Sequence, residues 1–216
     1  MKKININSFE KFSAEIKEYD QSVIYRGVPK VEYDLRPSLF WFNKPTIPGN
    51  LEKRIMQLFK TRGRGYIKEI PNSEIEWLVL ARHYDLPTRL LDWSSNPLVA
   101  CYFAVSSHTE EDGVIYIYDT DNYISESNID ISNLRSIKAF HPSYLSNRLI
   151  AQSSVFTIHP DSEPVLTAKE IEKIIIVESS IKDEFKEILN KYGIHEASLF
   201  PGLDSLAKHI KYQLEE

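Results

Sequence analysis

The chain has 216 residues, a formal net charge of −5, 42% hydrophobic residues and 26% charged residues. That length can bury a sizeable core, and that composition excludes a largely disordered chain. The negative balance argues against a global attraction to nucleic acid or an anionic membrane, and the single cysteine, Cys101, excludes an internal disulfide and a cysteine-based zinc site.

Hydrophobic periodicity marks the elements in turn. Met1–Asn5 lacks the apolar stretch of a signal peptide, so the expected compartment is the cytosol. Phe9, Phe12, Ile16 and Tyr19 recur at helical spacing behind Ser8, a capping residue. Val23–Tyr25 reads as a short strand ending at Arg26-Gly27. Leu35–Trp41, interrupted by Pro37, reads as irregular. Asn50 is placed to cap a helix through Phe59 with Leu51, Ile55, Leu58 and Phe59 inward. Lys60–Tyr66 with Lys68 is a basic, glycine-spaced patch: either it meets a phosphate backbone, or its glycines stop a helix and turn the chain.

Ser73 and Glu76 have the spacing of a capping box for a helix carrying Ile75, Leu78 and Val79, which Pro87 stops near Tyr84. Asn96-Pro97 starts the next helix. Its run Leu98–Val105 is apolar on all sides, which predicts a central position, and it is too short to span a bilayer. Gly113 opens the strand Val114–Tyr118. Ser143–Gln152 is helical in pattern, and Val155–Ile158 reads as a strand. Ile174–Val177 is apolar throughout and is expected inside a sheet. Ser180 and Asp183 begin a helix with Ile181, Phe185, Ile188 and Leu189 inward, stopped by Gly193. Gly202–Leu214 forms a last helix along Leu203, Leu206, Ala207 and Ile210. The least ordered stretches are expected at Asn43–Gly49 and Asp119–Asn133. Strands and helices do not alternate regularly. The prediction is one α+β domain over residues 1–216, with helices packed around a small mixed or antiparallel sheet.

Polar chemistry collects at three places. Tyr25-Arg26-Gly27 ends an apolar strand, where an arginine fork suits a phosphate or carboxylate, or else a neighbouring acid, and Gly27 permits close approach. His83–Ser94 sets His83, Asp85, Thr88, Arg89, Asp92 and Trp93 between two apolar helices. Burying Arg89 and Asp92 requires that they pair with each other as a clasp or meet a ligand. Asn147–Thr157 runs from a helix into a strand and brings Gln152 to the sheet edge, where it can bind a carboxamide or a ribose hydroxyl, or simply cap its helix. His83 has no second ligand at metal spacing, and no Walker loop, Gly-x-Ser-x-Gly elbow or His-Glu-x-x-His motif occurs.

Together these residues resemble the FRG domain family, named for a Phe/Tyr-Arg-Gly motif that here is Tyr25-Arg26-Gly27. Leu35-Arg36-Pro37-Ser38-Leu39 is similar to the family's next marker. His83-Tyr84-Asp85-Leu86-Pro87-Thr88-Arg89-Leu90-Leu91-Asp92-Trp93 matches its longest one, with Asp85 in place of the usual Gly. Pro97…Phe103-Ala104, Arg148…Gln152…Phe156-Thr157 and Tyr192-Gly193-Ile194…Phe200-Pro201-Gly202-Leu203 match further on, so the resemblance runs from about residue 20 to 210. It implies a role in conflict between bacteria and phages.

A more distant likeness, to Arg-Ser-Glu ADP-ribosyltransferases, implies an ADP-ribosyltransferase-like fold and NAD as substrate, without a metal. Arg26 and Gly27 would hold the phosphates, with Thr88, Arg89 and Asp92 lining the pocket and Asp92 orienting Arg89 or His83. Ser94 or Ser95 would support the nicotinamide ribose. His83 and Gln152 would face the reacting groups. The position of the catalytic glutamate coincides with Gln152-Ser153-Ser154, which leaves Glu196 or Glu178 as substitutes. The alternatives are a non-catalytic module that senses a phage protein, a nucleotide or RNA, and a structural network of Arg26, Arg89, Asp92 and Gln152.

Overall fold

Seven strands share one mixed sheet in the computed structural model, which describes residues 2–20, 22–31, 34–42, 47–143 and 145–215. They are β1 (Lys2–Ile6), β2 (Val23–Val28), β3 (Leu90–Ser94), β4 (Gly113–Asp119), β5 (Lys138–Phe140), β6 (Ser154–Ile158) and β7 (Lys173–Val177). Their order is β1-β7-β4-β2-β3-β6-β5, parallel between β1 and β7 and antiparallel elsewhere. The helices are α1 (Phe9–Ile16), α2 (Pro48–Gly63), α3 (Glu74–His83), α4 (Pro97–Val105), α5 (Asn147–Ala151), α6 (Lys182–Lys191), α7 (Glu196–Leu199) and α8 (Leu203–Glu215). The architecture is α+β, as the order of elements predicts. No helix among the described residues is long and apolar enough to cross a membrane.

Strand alternation sorts the core into three clusters. On one face of the β1-β7-β4-β2 half, Tyr25, Ile115, Ile117, Ile175 and Val177 meet Phe9, Phe12, Ala100, Cys101, Ala104, Phe185 and Leu189 from α1, α4 and α6. On the β3-β6-β5 half, Leu90, Phe140, Phe156 and Ile158 meet Met56, Ile75, Leu78, Ala81 and Leu149 from α2, α3 and α5. Ile24, Val28, Leu91, Trp93, Val114 and Tyr116 point the other way, covered by chain around Leu35, Ile137, Leu166 and Ile171.

Side chains of both halves share this last cluster, but the backbone ladder between them is short. β2 and β4 are in register from Val23–Asp119 to Val28–Val114, whereas β2 and β3 share the single pair Tyr25–Ser94. α4 lies hard against the β2 side of this junction. A Cβ on Gly27 would sit 1.7 Å from the Ala100 carbonyl oxygen, and one on Gly113 would sit 2.3 Å from that of Ala104, so helix backbone rests on strand backbone at both places.

The caps predicted at Ser8, Ser73 and Asn96 form, each side chain accepting from a backbone N–H one turn on or nearer. Other expectations are corrected. Leu90–Ser94 is a strand, not part of a loop between helices. The polar Asp92 breaks its apolar pattern but is met by charged partners. α2 starts at Pro48 rather than after Asn50, and it buries Glu52 and Met56 while Leu58 faces out, because Glu52 turns inward to an arginine. α6 starts at Lys182 without a side-chain cap, preceded by a 3-10 turn over Ser179–Ile181. α8 leaves Leu203, Leu206 and Ile210 exposed, since it leans on α7 through its His209 side. Asp119–Asn133 contains two 3-10 turns, Glu126–Asn128 and Ile131–Asn133, and Ile124, Ile129 and Ile131 pack on the core. Of the stretch Asn43–Gly49, residues 43–46 lie outside the described residues, and Pro48 and Gly49 already belong to α2. The glycine-spaced basic segment begins as the last turn of α2, which ends at Gly63.

Candidate functional site

Where β2 and β3 part, Arg26 fills the gap. Continuing the register would pair Gly27 with Asp92. Instead Nη1 of Arg26 donates to the Asp92 carbonyl oxygen at 2.6 Å and lies 3.8 Å from its carboxylate. On the far side Arg82, in the last turn of α3, donates to the same carboxylate oxygen through Nε at 2.9 Å and Nη2 at 2.8 Å. One carboxylate thus serves two guanidinium groups. Burial pushes the Asp92 carboxyl up, but the attraction of Arg82 and Arg26 outweighs it and holds the group below the usual carboxylate range. Burial lowers Arg26 and Asp92 opposes this, while Asp92 raises Arg82. Nε of Arg26 is buried without a hydrogen-bond partner among the described residues.

This junction is the floor of a cleft of about 200 Å³. Arg26, Gly27, Asp92 and Ser94 come from the two strands, Arg82, His83 and Asp85 from the end of α3, Phe103 from α4, and Arg148 and Gln152 from α5 and its C-cap. Three arginines face two aspartates there, so the cleft is cationic in an acidic chain. Arg148 lies over the Phe200 ring at 4.6 Å, and its Nη1 donates to the His83 carbonyl at 3.4 Å. Phe103 meets Phe200 edge-on at 6.0 Å. Burial, then the charge of Arg148, pushes His83 down, so its imidazole is neutral at pH 7. Asp85 adopts φ 58°, the left-handed region at the helix end. That conformation explains why a glycine would be at home in this position of the motif.

The sequence-predicted residues divide accordingly. Arg26, Gly27, His83, Asp92, Ser94 and Gln152 line this one cleft. Within it, Ser94 Oγ donates to the Gln152 carbonyl at 2.8 Å, and Gln152 Nε2 donates to the Leu199 carbonyl at 3.1 Å. Thr88 is fully buried and its carbonyl holds the Leu39 amide, while Ser95 donates to the Ser153 carbonyl outside the cleft.

Arg89 is elsewhere. It is buried at the start of β3, with Nε 2.5 Å from Glu52 and Nη2 3.1 Å from Asp161. The expected Arg89–Asp92 clasp therefore does not form, and neither does an orienting role of Asp92 toward Arg89. Three residues of extended chain span about 10 Å, and each group finds a different partner. Glu196 pairs with Lys208 at 2.8 Å in a separate cleft beside α8. Glu178, at the end of β7, lines neither cleft.

Arg82 is the charged site residue that the motifs do not single out, and Arg148, which they contain, had been given no role. The available signal for Arg82 was a charged residue four positions after the buried Leu78, at the inward-facing end of an apolar helix.

A family model of the FRG domain matches residues 21–113. Over those residues the chain carries an FRG domain. The matched segment of the FRG domain contains Arg26, Arg82, His83, Asp92 and Ser94, while Arg148 and Gln152 lie beyond it. No match appears among curated proteins or solved structures.

Proposed function

We propose that this FRG domain binds a phosphorylated nucleotide in the cleft at the sheet junction, with NAD as the first candidate, and acts on it as an ADP-ribosyltransferase-like enzyme. The observation that supports this reading is the convergence of Arg26, Arg82 and Arg148 on one small cleft whose inner carboxylate, Asp92, neutralises only part of their charge. Paired guanidinium forks suit phosphate oxygens. The volume, about 200 Å³, is below the roughly 300–1,000 Å³ of pockets that enclose a whole drug-sized ligand. It fits one phosphoribosyl unit, with the rest of a dinucleotide laid over the rim.

In the catalytic form of this reading Arg26 and Arg148 take phosphate, Phe103 supplies an apolar wall, and Gln152 and Ser94 stand beside the ribose. Neutral His83 is the base available to accept a proton from water or from a target hydroxyl. Such an activity would suit a toxin acting between bacteria and phages.

A second reading, a sensor that binds without turnover, is favoured by one observation. Among the described lining residues the carboxylates are Asp92, held by two arginines, and Asp85, whose side chain is 85% exposed at the rim. Neither matches a carboxylate buried beside a reacting ribose. Its ligand would be the same nucleotide, a phage protein or RNA.

Calorimetry with ADP-ribose and NAD, and chromatography for released nicotinamide, test both readings. Binding with release supports the enzyme, and binding without release supports the sensor. In either case Arg26→Lys should weaken binding by about 10- to 100-fold, the range for losing charge-assisted hydrogen bonds. Absence of binding to wild-type protein at millimolar nucleotide would overturn the enzyme and the nucleotide sensor, leaving a sensor of a phage protein or RNA.

A further inference from the structure

A second histidine cluster lies beside α7, outside the arginine cleft. His195 caps α7: its Nδ1 accepts from the Ser198 amide at 3.2 Å, and its own amide donates to Ser198 Oγ at 3.0 Å. The ring of His209 from α8 stacks on it at 3.8 Å and 4°. An imidazole that accepts at Nδ1 carries its proton on Nε2, so this cap exists only in the neutral form. A second proton would sit on Nδ1 and oppose the Ser198 N–H.

The surroundings do not favour that proton. Tyr102 faces the cluster from α4, Lys186 and Asn190 from α6, Glu196 from α7, and Lys208, His209 and Tyr212 from α8. Glu196 is engaged by Lys208, and Asp183 by Lys186 at 3.0 Å. Asp204 acts on Lys208 from the first turn of α8. Burial, then His209, pushes His195 below the usual imidazole range.

What α7 holds is the wall of the other cleft. The Leu199 carbonyl accepts from Gln152 Nε2 at 3.1 Å. The next residue, Phe200, carries the Arg148 guanidinium and the edge of Phe103.

We propose that α7 is an acid-released clamp: protonation of His195 undoes the cap, and the loosened turn frees Gln152, Arg148 and Phe103 on the wall of the arginine cleft. The inference stands whatever anion that cleft takes.

Amide hydrogen exchange on the full chain at about pH 7.5 and about pH 5, corrected for intrinsic rates, tests it. Protection of the Ser198, Leu199 and Phe200 amides should fall about tenfold or more on acidification, while β4 and β7 keep theirs. His195→Asn keeps a side-chain acceptor at the cap but does not titrate, so it should remove the fall. In wild-type protein the Gln152 side-chain amide resonances should shift with the same midpoint as the His195 ring. Unchanged protection of α7 in wild type, or an undiminished fall in the asparagine variant, would overturn the proposal. If the variant does not fold, the wild-type resonances decide alone: a Gln152 midpoint different from that of His195 rejects the clamp.

Discussion

Nη1 of Arg26 and the carbonyl oxygen of Asp92, 66 positions apart in sequence, stand 2.6 Å apart at the point where the sheet ladder opens. The side chain takes over a ladder position that backbone would otherwise fill. This makes Arg26 both a part of the sheet and a wall of the cleft, and Asp92 the charge that lets two guanidinium groups share the space.

Asp92→Asn should therefore destabilise the protein. Removing one partner of a fully buried ion pair costs about 3–5 kcal/mol. The Asp92 side chain is 42% exposed and screened, so about 1–2 kcal/mol is expected. The sign with pH follows from the lowered carboxyl. Its stabilisation is complete above the unfolded value, about 3.9, and is lost as pH falls through the lower folded value. Denaturant unfolding at pH 7 and in acid should show the gap between wild type and variant closing on acidification.

Gly27→Ala tests the tightest of the glycine contacts. The added methyl would meet the Ala100 carbonyl oxygen at 1.7 Å and the Ala104 amide nitrogen at 2.9 Å, both helix backbone. Neither can rotate away as a side chain would, so α4 must lift off β2. A loss at or beyond the usual 1–3 kcal/mol of overpacking is expected, roughly 3 kcal/mol or more. A melting temperature within a few degrees of wild type would contradict the packing described.

The elements legible in the sequence were those whose period and caps agree. Phe9 and Phe12 behind Ser8, or Val99–Val105 behind Asn96-Pro97, carry local signals that packing does not override. β3 was hidden because Asp92 interrupts its apolar run, and only the fold brings Arg82 and Arg26 to that carboxylate. β1 and β5 were hidden for another reason: β1 is an edge strand that is mostly exposed, and β5 is three residues long, too short to show a period. The motifs located Arg26, His83 and Asp92 in one place. They could not separate Arg89 from that set, because a three-residue spacing to Asp92 looks the same whether the arginine faces a ligand or Glu52.

Glu52→Gln makes that separation measurable. Arg89 and Glu52 are both nearly inaccessible, and Glu52 also accepts from the Arg89 amide at 2.8 Å. Neutralising Glu52 leaves Arg89 with Asp161, so the loss should be about 3 kcal/mol, the lower end for a broken buried pair. Nucleotide affinity measured below the melting temperature should be unchanged, since none of Glu52, Arg89 and Asp161 lines the arginine cleft. A variant of normal stability but weakened binding would instead return Arg89 to the site.

Lys182 is a buried cation whose hydrogen-bond partners among the described residues are all carbonyl oxygens. The residue is inaccessible, and its Nζ donates to Pro29 at 2.7 Å, His108 at 2.9 Å and Ser107 at 3.2 Å. Ser107 and His108 follow the C-terminal end of α4, where unpaired carbonyls and the helix dipole favour a positive charge. Pro29 follows β2, so one ammonium group ties the strand that carries Arg26 to the helix that packs on it. Lys182→Met keeps the length of the side chain but removes every donor, leaving three carbonyls without this partner. Each unsatisfied buried acceptor costs about 1–3 kcal/mol, so a total near 3 kcal/mol is expected even after partial relaxation. The same loosening should reach the arginine cleft, because Gly27 and Phe103 lie on the two tied elements. Thermal unfolding together with ADP-ribose titration checks both parts: a variant as stable as wild type would show that the lysine is dispensable, and a destabilised variant with unaltered affinity would show that the tie does not extend to the cleft.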